Sequence, residues 1–159
     1  MTTAPPEAKE AALEAVATLG RLVTVFAERR KQLAESVGLT DQQWQALEEV
    51  QTEHFMPSLF AHKRETSAAA VSKILRQLSD KGLIQASLSS VDGRHRSYSV
   101  TDKGRALLAK LREERERAIR EVWLKLELSE LKTWSSLGER LASGLERLAA
   151  EKTKAPELA

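Results

Sequence analysis

The sequence predicts a mainly α-helical protein with a small β wing of two or three strands, a winged helix-turn-helix with long N- and C-terminal dimerisation helices. Three observations support this class. Residues 67–104 carry a short helical pattern, a glycine stop and two strand-like runs joined by a polar loop. Apolar residues recur every three or four positions both before and after this segment. This segment has a positive charge balance, whereas the rest of the chain has a negative one.

The first two helices are defined by periodicity and by caps. Apolar positions within residues 13–33 repeat at helical spacing, and Gly38 ends this helix. Thr40 follows as an N-cap with Gln43 three residues on, which is the pattern of a capping box. A second helix is therefore predicted over residues 41–51.

Two shorter helices and the wing follow. Pro57 suits the first position of a helix that runs to residue 63 or 64. Ser67 can cap the next helix, which Gly82 ends and whose inward residues are Val71, Ile74, Leu75 and Leu78. Residues 83–88 and 96–100 read as strands with an Asp92-Gly93 turn between them.

Two long helices complete the chain. Thr101 caps the first, whose apolar stripe continues to Leu126, and Ser129 begins the second. The predicted organisation is a helical dimerisation region at residues 7–36 and 105–150, a winged helix-turn-helix at 37–104, and flexible termini at 1–6 and 151–159. The alternative for the apolar stripes is that they only cover the core of a monomer.

Charge and composition restrict the function classes. Residues 60–105 hold nine basic and four acidic residues, a balance of +5, whereas the rest of the chain has a balance of −3. A basic block in an acidic surround is typical of a phosphate-facing surface, although it is also compatible with a solvated face. The chain has no cysteine, no apolar run long enough to span a membrane and no signal-peptide pattern, so we expect a cytoplasmic protein without a membrane partner.

Catalytic and metal-binding patterns are missing from the sequence. His54, His62 and His95 are 8 and 33 positions apart, which is not the spacing of zinc ligands. The serines near residues 87–90 lack a nucleophile elbow, and no phosphate-binding glycine loop is found. We therefore predict no enzymatic activity, no cofactor and no metal.

The order of these elements and the sequence of the wing resemble those of the MarR family of bacterial transcription regulators. The resemblance covers the chain from about Leu13 to Leu148. The wing and exit of that family read Asp-Arg-Arg and then Leu-Thr-x-x-Gly. Here Asp92-Gly93-Arg94 is followed in the same register by Val100-Thr101-Asp102-Lys103-Gly104. The resemblance implies that Asp92 structures the wing through a salt bridge and that Arg94 reaches toward the minor groove.

The chain departs from the family pattern at the helices that would dock on DNA. Gly93 replaces a usual arginine, and residues 64–66 read Arg-Glu-Thr where the family has Leu-Gly-Leu. The recognition helix starts with three alanines, which can touch a thymine methyl but make no hydrogen bond to a base. The predicted DNA-binding residues are Ser67, Ala69, Ser72, Lys73, Arg76, Gln77, Arg94, His95 and Arg96.

The resemblance implies a homodimer that acts as a transcriptional regulator, a repressor, on a palindromic operator in double-stranded DNA. It also implies release by a small aromatic or phenolic effector. The residues that could line an effector site by position, although the apolar ones are also ordinary core residues, are Phe26, Arg30, Trp44, His54, Phe55 and Met56. The alternative function is a winged-helix dimer that binds a protein partner, as an antirepressor or co-regulator, with weak or lost DNA binding.

Overall fold

The computed structural model describes residues 5–52, 55–88 and 96–154. Within these residues the chain forms six α-helices and one two-stranded sheet, which confirms the predicted fold class. The elements in order are α1 (Pro6–Ser36), α2 (Asp41–Val50), α3 (Pro57–Lys63), α4 (Ala68–Asp80), β1 (Ile84–Leu88), β2 (Arg96–Val100), α5 (Asp102–Glu121) and α6 (Leu128–Lys154). The chain divides into two compact units, residues 1–112 and 113–159, which are described separately.

The core of the first unit is built from one apolar face of each element. The four residues that the helical pattern placed inward on α4 are buried, which confirms that part of the prediction. The largest fully enclosed side chains are Leu47, Val71, Leu78, Leu83 and Leu111. Because these come from α2, α4, the segment before β1 and the first half of α5, the core holds the recognition helix α4 against the base of the wing.

The predicted caps are present and fix the helix starts. Thr40 and Gln43 form both bonds of the capping box: the Gln43 N–H donates to Thr40 Oγ1 at 3.1 Å, and the Thr40 N–H donates to Gln43 Oε1 at 3.0 Å. The Ser67 hydroxyl accepts from the N–H of Ala70 at 3.1 Å. Gly82, at φ +68°, lies in the left-handed region that its role as a stop requires.

The wing strands pair as predicted. β1 and β2 are antiparallel, with Ile84 opposite Val100 and Leu88 opposite Arg96. The strands begin and end within one residue of the predicted limits. The predicted Asp92-Gly93 turn lies outside the described residues, as do residues 1–4 and 155–159 of the termini that we expect to be flexible.

Helix limits differ from the prediction at three places. At the C-terminus, α6 continues to Lys154, so residues 151–154, which were assigned to the flexible end, are helical. α1 begins at Pro6, with proline at the first helical position, and so includes a residue assigned to the loose start. α5 ends at Glu121 and a 3₁₀ turn covers residues 123–125, whereas the apolar stripe predicted one helix through Leu126. The helical repeat stops there because Leu126 is extended (ψ 148°) and the Glu130 carboxylate accepts the N–H of Glu127, which starts α6.

The turn between α3 and α4 holds a residue in an unfavourable conformation. Glu65 has φ +49°, a region that costs a non-glycine residue roughly 1–2 kcal/mol. Glycine removes this cost but loses about 0.5–1 kcal/mol of chain entropy on folding. Glu65→Gly should therefore raise the free energy of unfolding by up to about 1 kcal/mol in urea denaturation.

The matched control for this turn is Glu65→Ala. It removes the same carboxylate but keeps a Cβ at positive φ, so it should not share the gain in the free energy of unfolding. Equal stability of the glycine and alanine variants would contradict the assignment of strain to this turn.

Exposed large apolar side chains are most numerous on two helices, one within each unit. On α1 these are Leu13, Val16, Leu19, Val23, Val25 and Phe26. On α6 they are Leu128, Trp134, Leu137, Leu141, Leu145 and Leu148. In the described residues, no helix combines the length and the apolar character needed to cross a membrane.

Candidate nucleic-acid interface

The outward face of α4, defined as Ala69, Lys73 and Arg76, lies opposite its buried face. Spacings of four and three residues bring these side chains onto one side of the helix, and all three are exposed. Among the residues described, neither Lys73 nor Arg76 has a hydrogen-bond acceptor or a carboxylate partner. Two adjacent cations with no internal partner are suited to an anion supplied from outside.

The other predicted residues on and before α4 differ in availability. Ser72 is exposed, whereas the Ser67 hydroxyl caps the helix. Gln77 is half-buried, and its side-chain oxygen accepts a hydrogen bond from the amide nitrogen of Gln43 at 3.0 Å. Gln43 is 6% exposed and belongs to α2, so this bond ties the recognition helix to α2.

The wing contributes one described cation. Arg96 begins β2 and is exposed. Beside it, the Ser87 and Ser97 hydroxyls are 2.7 Å apart and join the two strands. The other predicted wing residues, Asp92, Arg94 and His95, lie outside the described residues, so their roles stay predictions.

Several cations of the basic block stabilise the fold itself. The Lys81 ammonium donates to the carbonyl of Gly38 at 3.0 Å, and the Lys103 ammonium donates to the carbonyl of Lys81 at 2.8 Å. Arg105 donates to the carbonyl of Val100 at 2.6 Å. These bonds satisfy carbonyl groups near the ends of helices and strands. Only some cations of the basic block therefore remain free to contact a ligand. Sequence reasoning missed the roles of Lys81 and Lys103 because their partners are backbone atoms 43 and 22 positions away.

The exit motif explains how the wing is attached. The Thr101 N–H donates to the Leu83 carbonyl at 3.0 Å, and its hydroxyl donates to the Gly82 carbonyl at 2.7 Å. The same hydroxyl accepts from the N–H of Gly104 at 3.1 Å. Thr101 therefore joins the end of the recognition helix segment to the start of α5, and the position of β2 depends on it.

The predicted effector-site residues fall into distinct environments. Arg30 of α1 lies over the ring of Trp44 at 4.3 Å and forms ion pairs with Asp41 and Glu48 of α2. Phe55 packs on Phe60 and Tyr98, with ring centroids 6.0 and 6.1 Å away. Phe26 and Met56 are each about half exposed. His54 lies outside the described residues, and the effector site stays a prediction.

Metal binding has no support among the described residues, where no group of three or more histidine, aspartate or glutamate side chains could hold an ion.

The predicted DNA-binding side chains of α4 and β2 present ammonium, guanidinium, amide and hydroxyl groups. All of them donate hydrogen bonds, which suits contact with the phosphates and base edges of a nucleic acid.

Comparison with known proteins agrees with this architecture. The HxlR-like helix-turn-helix family matches residues 62–126. No curated protein matches the chain by sequence. A MarR family transcription regulator, SP03579, has a similar structure, with a TM-score of 0.82 and 18% identity over 91% of this chain and 97% of that one.

Two further structures come from Staphylococcus aureus. MepR in complex with DNA has a TM-score of 0.62 and 20% identity over 79% of this chain and 96% of that one. MarR in complex with salicylate and kanamycin has a TM-score of 0.73 and 16% identity over 91% of this chain and 99% of that one. The resemblance stated from the wing and exit motif is confirmed at the level of the fold: the chain has the winged helix-turn-helix fold of MarR-type regulators.

Proposed function

We propose that this protein is a sequence-specific DNA-binding transcriptional regulator, a repressor, that acts as a homodimer on a palindromic operator. The observation that carries the proposal is the outward face of α4, where Lys73 and Arg76 are exposed and have no partner among the described residues. A recognition helix of this kind enters the major groove with its exposed face toward the bases. MepR, which has a similar fold, has been solved bound to DNA.

Dimerisation is supported by the exposed apolar side chains of α1 and α6. Six large apolar residues on each helix are at least two-fifths exposed in a single chain, which is more than the scattered apolar residues of an ordinary surface. A two-fold dimer would present two recognition helices to half-sites about 34–36 Å apart on one duplex.

Release by a small aromatic ligand is the remaining part of the proposal. MarR of S. aureus, which is similar in fold, was solved with salicylate. In this chain Arg30 lies over the Trp44 ring and also pairs with carboxylates of α2, so a carboxylate ligand could compete for its guanidinium. Such competition would change how α1 holds α2 and, through it, α4.

Duplex binding across a range of salt concentrations tests the proposal. Two cations on each of two recognition helices predict that log K falls with log salt with a slope of about −3.6 or steeper, because each of the four neutralised phosphates contributes about −0.9. Selection from a random duplex pool should return a palindrome, and sedimentation should give a particle of two chains. A slope near zero would instead support the protein-binding alternative, which the exposed alanines at the start of α4 also favour.

A further inference from the structure

A series of hydrogen bonds between polar groups runs from the N-terminus of α2 to α4. It consists of Thr40, Gln43 and Gln77, joined by hydrogen bonds of 3.0 Å. Gln43 is the only buried polar side chain of the core among the described residues. When both the oxygen and the nitrogen of a buried amide form hydrogen bonds, the amide has a single orientation. That orientation also determines which atom of the neighbouring side chain faces it.

The first step of this series is fixed by the backbone. The N–H of Thr40 can only donate, so the group of Gln43 that faces it must be the carbonyl oxygen. The Gln43 amide nitrogen must then face away from Thr40, and it meets the side chain of Gln77.

The second step follows in the same way. The Gln43 nitrogen is a donor, so Gln77 must turn its oxygen inward and its nitrogen outward. No acceptor for this outward nitrogen lies in residues 5–52, 55–88 and 96–154. Lys73, one helical turn earlier, and Arg76, the preceding residue, are exposed cations, so the outward amide extends a surface of donors only.

We infer that Gln43 is a positioning residue that makes Gln77 a donor-only contact for a hydrogen-bond acceptor of duplex DNA. This inference rests on the proposed function. The acceptor is either a base-edge atom, such as guanine O6 or N7 or thymine O4, or a phosphate oxygen. The paired contact that glutamine otherwise makes with adenine needs its oxygen as well as its nitrogen, and here the oxygen faces α2.

The variant that tests this is Gln43→Glu, which acts without changing any residue of α4. Glutamate is the usual partner in a capping box, so one carboxylate oxygen can still accept from Thr40. The other oxygen can only accept, so Gln77 must reverse its amide and present an oxygen outward. The matched control is Gln42→Glu, which adds the same charge one residue earlier at an exposed position.

Binding is measured on a duplex library for the wild type, both variants and Gln77→Glu. We expect Gln43→Glu to weaken binding roughly three- to tenfold in each half-site, the effect of one hydrogen bond, and so about ten- to a hundredfold on a palindrome, while Gln42→Glu changes it much less. A loss confined to one base position identifies a base-edge acceptor, and an equal loss on all duplexes identifies a phosphate. Gln77→Glu, which presents a carboxylate outward, should weaken binding more than Gln43→Glu.

Two results would separate failure of this inference from failure of the proposed function. If the wild type binds duplexes but Gln43→Glu matches Gln42→Glu in affinity and base preference while both unfold cooperatively, the positioning role is wrong. If Gln77→Glu also binds as the wild type does, Gln77 makes no contact. If the wild type itself binds no duplex at low salt, the proposed function fails, and this inference fails with it.

Discussion

Replacing both Lys73 and Arg76 with alanine is expected to lower the affinity for every duplex by about a hundredfold for each recognition helix in contact with it, and so by about ten-thousandfold for a homodimer. Hydrogen bonds to charged groups contribute roughly 1.5 kcal/mol or more each, and two of them correspond to about two orders of magnitude in the dissociation constant. Both side chains are exposed on α4 and lack a partner among the described residues, so their loss should leave the fold intact. Alanine also has a high helix propensity.

The measurement is a titration of labelled duplex at several salt concentrations, with circular dichroism to verify helix content. The negative slope of log K on log salt should become less steep by about one for each lost cation that contacts a phosphate in the wild type. The control replaces Lys110 and Arg112, which are exposed on α5, with alanine and removes the same net charge. An equal loss in the control would mean that overall charge, and not the outward face of α4, drives binding.

Gly104→Ala is expected to lower the free energy of unfolding by about 2–3 kcal/mol. A Cβ at this position would overlap the carbonyl oxygen of Leu83 and lie 2.7 Å from Cγ1 of Val100. The Leu83 carbonyl cannot withdraw easily, because it accepts the N–H of Thr101 at 3.0 Å. Relief would require the base of the wing to separate from α5, and overpacking of this kind typically costs 1–3 kcal/mol.

Urea denaturation at one protein concentration measures this effect. Gly20→Ala is the matched control, since it makes the same substitution within helix α1, where a Cβ would meet nothing within 4 Å. It should raise the free energy of unfolding by about 0.5–1 kcal/mol. If Gly104→Ala instead behaves like Gly20→Ala, then the Leu83–Thr101 bond does not hold the wing against α5.

The prediction from sequence succeeded where the signal is local. Thr40 and Gln43 form a capping box because three residues separate a hydroxyl from an amide at the start of an apolar pattern. Ser67 and Gly82 limit the recognition helix for reasons that also lie within a few residues. The glycine of the exit motif was recognised by resemblance, and its reason, contact with the Leu83 carbonyl, required the structure.

The sequence alone therefore determined the order of the helices, the buried face of α4, the strands and the basic character of the winged segment, because periodicity, caps and charge depend on neighbours along the chain. Only the tertiary structure decided which cations remain free to contact a nucleic acid. Lys81 and Lys103 are bonded to distant carbonyl groups while Lys73 is not, and Gln77 is oriented by a residue 34 positions earlier. Such partners are brought together by packing of the core, so no local pattern records them.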